Sequence, residues 1–372
     1  MRRLRRIFFE VTKMMVQPAR CFFSPIVDFM MIGGLSLLVL ALVVALNLQV
    51  STFDISLLAW YLAFFVNGPH FLISYLMLYG GHRGRLLKDI RFFWAGVLAP
   101  LLLLGAVGYA LMTARIDVLR GLLYLMLFTV GWHYIKQSYG CFIVYSAGQG
   151  AFFSRSEQLI IRYSLFPLWW ASFLRLFTGR YDNNFAGLPY SLPSVLSDWT
   201  RELHLLSLLG VLPALAVFLC RWKRNEKWPG LIAVTPLLMI YLWLSPLLRN
   251  EFFLVLIPLF HSLQYMLFSG AYTRSKVQRS GRAWLGYAAW WGSAFVLAAL
   301  LFNYLPVYLD QLRLLPLAMP INTFMLCFVL FINVHHYFID NVMWRGGNQE
   351  VRENIGMRTL GRTAESAGRS AI

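Results

Sequence analysis

Charge is what this chain has least of. Only 13% of its 372 residues are charged, about half the share of a soluble domain, and the mean hydropathy is +0.61. An ordinary soluble enzyme is excluded. Carboxylates are the scarcer sign, with 16 Asp+Glu against 33 Lys+Arg and a net charge of +17. Cysteine is sparse too. Cys21, Cys141, Cys220 and Cys327 form no CxxC pair and lie mostly in or beside apolar stretches, so they read as small buried apolar residues. There is no HExxH and no HxxxH, which removes the usual zinc-hydrolase signature and the di-iron desaturase pattern. No short apolar core with a small-residue cleavage site opens the sequence, so no cleavable signal is expected.

What is present is long apolar runs. Ten read as membrane spans, at about 29–48, 55–79, 91–112, 118–146, 158–177, 205–220, 230–248, 251–273, 284–305 and 316–343, most of them near the roughly 20 residues a helical span needs. Barrel strands would be shorter and alternating. The expected fold class is therefore an all-α polytopic transmembrane helix bundle of about ten spans, with 230–273 readable as one re-entrant pair. Basic residues fall in alternate loops: Arg83, Arg85 and Lys88; Arg155; Arg221, Lys223, Arg224 and Lys227; Arg274, Lys276, Arg279 and Arg282. The loops between them are charge-balanced. This positive-inside pattern puts both termini in the cytoplasm and the protein in a bacterial cytoplasmic (inner) membrane. The electrostatic partner is then a bilayer with anionic headgroups, not nucleic acid. Residues 1–28 read as a basic cytoplasmic arm or interfacial helix, 29–345 as the bundle, and 346–372 as a disordered cytoplasmic tail.

Ionisable groups inside spans are costly and mark functional sites. Of seven histidines, His82 and His204 read as solvated loop residues, whereas His70, His133, His261, His335 and His336 fall within spans 2, 4, 8 and 10. All four spans run from outside to inside. At 1.5 Å per residue their histidines lie at similar depth, about 14–20 Å from the inner ends. Each has polar company three or four residues away, on the same helix face: Asn67 with His70, Lys136 and Gln137 with His133, Gln264 with His261, Asn333 and Asp340 with His336. Asn322, Asn333, His336 and Asp340 form one stripe, and His335 lies about 100° off it. A lysine as deep as Lys136 needs a partner, and Asp340 is the intramembrane carboxylate available to it.

Imidazoles from several helices with a carboxylate suit non-haem iron with open positions; zinc or an axially held haem fit parts of the set. Gly68-Pro69-His70 and His261-Ser262-Leu263 resemble segments of the Brp/Blh-type membrane carotene dioxygenases. That resemblance implies a multi-span bundle in which histidines from separate helices bind iron and oxygen cleaves an apolar polyene. The expectation is a metal-dependent membrane oxidoreductase acting on a lipid or isoprenoid, a hydrophobic small-molecule substrate, with an electron donor where the chemistry needs one. His70, His133, His261, His335 and His336 are the metal-ligand candidates. Asp340 is a ligand or orienter, and Lys136, Gln137 and Gln264 position substrate or oxygen. Two other classes remain open: a proton-coupled transporter using the same groups as a relay, and a membrane acyltransferase with an intramembrane histidine as general base.

Overall fold

The computed structural model describes residues 21–48, 57–58, 61–178, 184–191, 194–248, 250–278, 283–316, 319–345 and 348–355. Its helices, in chain order, are α1 (Pro25–Ala45), α2 (Gly68–Tyr75), α3 (Ile90–Thr113), α4 (Ile116–Gly148), α5 (Arg155–Ser164) and α6 (Phe166–Thr178). They continue with α7 (Thr200–Lys223), α8 (Leu231–Leu244), α9 (Glu251–Val277), α10 (Trp284–Gln311), α11 (Thr323–Met343) and α12 (Gln349–Asn354). Among the described residues the regular strand pairing is one antiparallel hairpin, Asn184–Phe185 with Leu188–Pro189. The architecture is an all-α bundle, and α1, α3, α4, α7, α9, α10 and α11 are each long and apolar enough to cross a membrane.

Those seven helices match seven of the ten expected spans. The expected span 158–177 is instead two helices, α5 and α6, broken at Leu165, with Pro167 in the first turn of α6, where a missing amide hydrogen costs the helix nothing. The span 230–248 is the 14-residue α8, which stops where Ser245 turns extended ahead of Pro246. Part of 55–79 lies outside the described residues. The rest is a helical run in which π-turns at Ala63–Asn67 and Leu76–Gly81 flank α2. Such π-turns recur at functional sites.

Local chemistry sets the helix starts. Ser24 caps α1 by accepting from the Val27 amide, with Pro25 in the first turn. Asp28, fully buried, accepts from the Phe22 and Phe23 amides and from the Tyr145 hydroxyl at 2.7 Å, which ties α1 to α4. Within α1, Gly33 has φ +149 and packs so closely on α8 that a Cβ there would collide with Met239. Ser154 and Glu157 cap α5 reciprocally. Glu157 also receives Arg221 at 3.1 Å and Arg224 from the end of α7.

Four helices carry the intramembrane histidines and pack in sequence around a common centre. α2 packs on α11, α11 on α4, α4 on α9, and α9 back on α2. They form a closed ring with their histidine-bearing faces inward.

Two expectations about the periphery are corrected. The basic arm at 1–20 lies outside the described residues, but 21–28 already belongs to the fold through Asp28. The tail does not leave the bundle at 346. Residues Gln349–Asn354 form α12, and Glu350 pairs with Lys276 at 3.2 Å, accepts from Tyr272 at 2.6 Å and faces His82 at 3.0 Å. His82 is accordingly buried, stacked on Phe92 and bonded to the Met77 carbonyl. It reads as solvated from sequence because the helix that covers it comes more than 260 residues later. The rest of the tail, 356–372, lies outside the described residues.

Candidate metal centre

His70 on α2, His133 on α4, His261 on α9 and His336 on α11 meet at one point. All four are buried, and one ring nitrogen from each lies within 4.8 Å of the others. Nε2 of His133 stands 3.0 Å from Nε2 of His261. The His70 and His336 rings are edge to face with centroids 4.4 Å apart.

The tautomers of two of these rings follow from their neighbours. Ser262 Oγ donates its proton to Asn67 Oδ1 at 2.9 Å, so it can only accept from His70 Nδ1 at 3.0 Å. Ser74 Oγ donates to the Phe71 carbonyl at 2.7 Å, so it accepts from His336 Nδ1 at 2.9 Å. In both rings the proton is on Nδ1 and the lone pair is on Nε2. His70 Nε2 has no hydrogen-bond partner, whereas His336 Nε2 faces the Asp340 carboxylate. A buried polar atom left without a partner is rare and calls for a cause. Two imidazoles aimed at a common point, with serines orienting the rings from behind, are a donor set that suits a cation.

Asp340 completes the set. Its Oδ2 lies 3.3 Å from His336 Nε2 and 3.7 Å from His133 Nε2, and the carboxyl group is also in hydrogen-bonding contact with Tyr265 and Trp344. Four neutral imidazoles and one carboxylate would leave a divalent ion with one net positive charge, a modest burden for a buried site. Imidazole-rich sets suit iron, zinc, copper and nickel. The four ring nitrogens all lie within 4.8 Å of one another, which leaves no room among them for a porphyrin macrocycle.

The remaining expected site residues divide. His335 is not part of the centre. Its Nδ1 is bonded to the Tyr75 hydroxyl at 2.9 Å and its Nε2 to the Ala95 carbonyl at 3.0 Å, because one residue along a helix turns the side chain by about 100°. Gln137 donates to the His261 carbonyl at 2.7 Å and to Gln264, and Gln264 donates to the Ile32 carbonyl at 2.7 Å. Both glutamines line the adjoining cavity, but their amide groups pin α4, α9 and α1 together; Gln137 Oε1 alone is left without a partner. Lys136 does not pair directly with Asp340. It donates to the next side chain, Asn341. Of the expected stripe, Asn333 bonds to the Val329 carbonyl and to Tyr337, and Asn322 is exposed at the start of α11. His204 is half-buried on α7, away from the cluster. Ser74 and Ser262 carry little signal in the sequence. Their only local mark is position, Ser74 four residues after His70 and Ser262 next to His261.

A cavity of about 460 Å³ reaches the cluster on one side. His133 and Asp340 form its inner edge, while His70, His261 and His336 are not among its walls.

Comparison with family models, with curated proteins and with solved structures gives no match.

Proposed function

We propose that this protein is an integral-membrane oxidoreductase whose four-histidine centre holds a non-haem iron and acts on an apolar lipid or isoprenoid substrate. The observation that carries the reading is the convergence of His70, His133, His261 and His336 from four helices, with the Nε2 of His70 left without a hydrogen-bond partner. Hydrogen-bond glue between helices would leave that atom satisfied. Histidines serving as a proton relay would be strung along a path rather than gathered at a point.

Bound iron would supply one-electron chemistry with dioxygen, and the chain's own residues do the rest. Ser74 and Ser262 hold two rings in the ligating tautomer. Asp340 stands at the cavity edge, able to hold a proton or complete the donor set. The apolar helices around the centre exclude water, which prevents loss of reactive species. The cavity admits substrate along the His133–Asp340 edge. The resemblance of Gly68-Pro69-His70 and His261-Ser262-Leu263 to the carotene dioxygenases supports the same chemistry, since both histidines belong to the cluster. The basic loops support a bacterial inner membrane with both termini inside, and the three shorter helical segments leave room for ten crossings.

The test is metal content and oxygen uptake. Protein purified in detergent under anaerobic conditions and reconstituted with Fe(II) should carry about one iron per chain. It should consume oxygen when a lipid extract is added. Protein that takes up no metal, or that binds only zinc and consumes no oxygen, would overturn the proposal and return the site to proton transfer or acyl transfer.

A further inference from the structure

The cavity beside the histidine centre is polarised. α4 and α11 lie parallel, since His133 neighbours His336 and Lys136 neighbours Asn341 further along both helices. Before the centre along both helices the walls are Leu125, Thr129 and Val334, mostly apolar. Level with the centre and beyond it they carry Lys136, Arg162 (over Trp132) and the exposed Arg345, set among Val144, Phe268, Val351 and Ile355. Against those three cations the cavity wall holds one carboxylate, Asp340, which already faces His133 and His336. Among the described residues Arg162 and Arg345 form no ion pair. Arg162 lies over the Trp132 ring at 5.6 Å, and Lys136 spends its bond on the neutral Asn341.

Like charges gathered at a membrane-embedded cavity repel one another and are retained where they meet an anion. Two guanidiniums and an ammonium suit an oxyanion, which can be held bidentately by arginine and by point charge from lysine. The apolar half suits a hydrocarbon chain. Leu125 is eight residues before His133, about 12 Å along the helix, and Lys136 is one turn after it.

We infer that the cavity takes an amphiphile with an anionic phosphate or carboxylate head. The head sits on Lys136, Arg162 and Arg345, and the chain runs past the His133–Asp340 edge toward Leu125 and Val334. This names the substrate class of the centre and in that respect rests on the oxidative reading, but binding is read without turnover. An anionic head fixes which carbons lie beside the centre: those a few bonds from the head, since Lys136 is only one turn from His133.

The experiment is a titration of the full-length protein in zwitterionic nanodiscs, following the fluorescence of the wall residues Trp132 and Trp344. Hexadecyl phosphate, hexadecanol and inorganic phosphate are the three probes, and iron is assayed in the same samples. Saturable binding of hexadecyl phosphate is expected, at least tenfold tighter than hexadecanol, with inorganic phosphate weaker than either. The double variant Arg162→Gln/Arg345→Gln should lose at least tenfold for hexadecyl phosphate and little for hexadecanol. Arg162→Lys/Arg345→Lys should recover most of the loss and shows that folding is intact. Equal affinity for the phosphate and the alcohol, or no effect of the glutamine variant, overturns the anionic head. Inorganic phosphate binding as tightly as the amphiphile overturns the lipid source. Charge-dependent binding in samples that take up no metal upholds the anion site while defeating the iron reading, so the two failures are separable.

Discussion

Nε2 of His133 lies 3.0 Å from Nε2 of His261, across 128 residues of sequence. Two nitrogens bound to one ion at about 2.0–2.1 Å stand roughly 2.9 Å apart in octahedral and 3.3 Å apart in tetrahedral geometry. The pair is thus already at ligating separation. His133→Ala and His261→Ala should each lower iron content more than tenfold, measured by elemental analysis of purified protein. His335→Ala should keep its iron, because both of its nitrogens are engaged elsewhere. Metal loss in the His335 variant equal to that in the other two would refute the four-histidine assignment.

The serines behind the ligands carry a separate prediction. Ser262→Ala and Ser74→Ala remove the acceptors that keep the Nδ1 protons of His70 and His336 in place. Such orienting partners typically contribute 10–100-fold to metal affinity. Competition with a chelator of known affinity should show a drop in that range, with helical content unchanged. An unaltered affinity in both variants would mean that the rings are held by packing alone.

Arg221 anchors the end of α7. It is 2% exposed, pairs with Glu157 at 3.1 Å and Glu226 at 2.7 Å, and donates to the Phe152 and Lys227 carbonyls. Removing one partner from such a buried pair costs about 3–5 kcal/mol. Arg221→Met should fall near the lower end of that range, since Arg224 still reaches both glutamates. Denaturant unfolding in detergent is the measurement, and a change below about 1 kcal/mol, the scale of an exposed pair, would contradict the burial.

Glu350 clamps α12 to the bundle. Burial raises its carboxyl, but the Tyr272 hydroxyl, His82 and Lys276 outweigh it and hold the group below the usual glutamate value. A depressed folded value means the contribution is present above the unfolded one, about 4.3, and is lost as pH falls through the folded one. A spin label at the exposed Gln349 should therefore stay immobile from neutral pH to about pH 5 and loosen only below about pH 4. Glu350→Gln should loosen it at every pH. Release near pH 6 in the unaltered protein would point to a different clasp.

Much of the candidate site was legible in the chain, for a physical reason. A histidine, lysine or aspartate within an apolar run is conspicuous because a bilayer tolerates so few, and helical rise converts its position to depth. His70, His133, His261, His336 and Asp340 could be named on that basis. Ser74 and Ser262 could not. Serine is common in membrane helices, and these two matter only through rings that lie 262 and 192 residues away. The roles of Gln137 and Gln264 shifted for the same reason: a glutamine three or four residues from a histidine shares its face, but whether it meets substrate or a neighbouring backbone depends on the helix opposite.

By itself the sequence determined the membrane class, the helical architecture and the layer at which the polar groups lie, because hydropathy and helical period are properties of single segments. Only the tertiary structure decided which histidines meet. The ring of α2, α11, α4 and α9 turns one face of each helix inward, which takes His336 into the centre and sends His335 to Tyr75 and Ala95. Two adjacent residues of equal chemistry thus have different fates: the polar stripe of Asn322, Asn333, His336 and Asp340 set His336 apart from His335, and the packing of the helix against its neighbours decided that this face meets the other histidines.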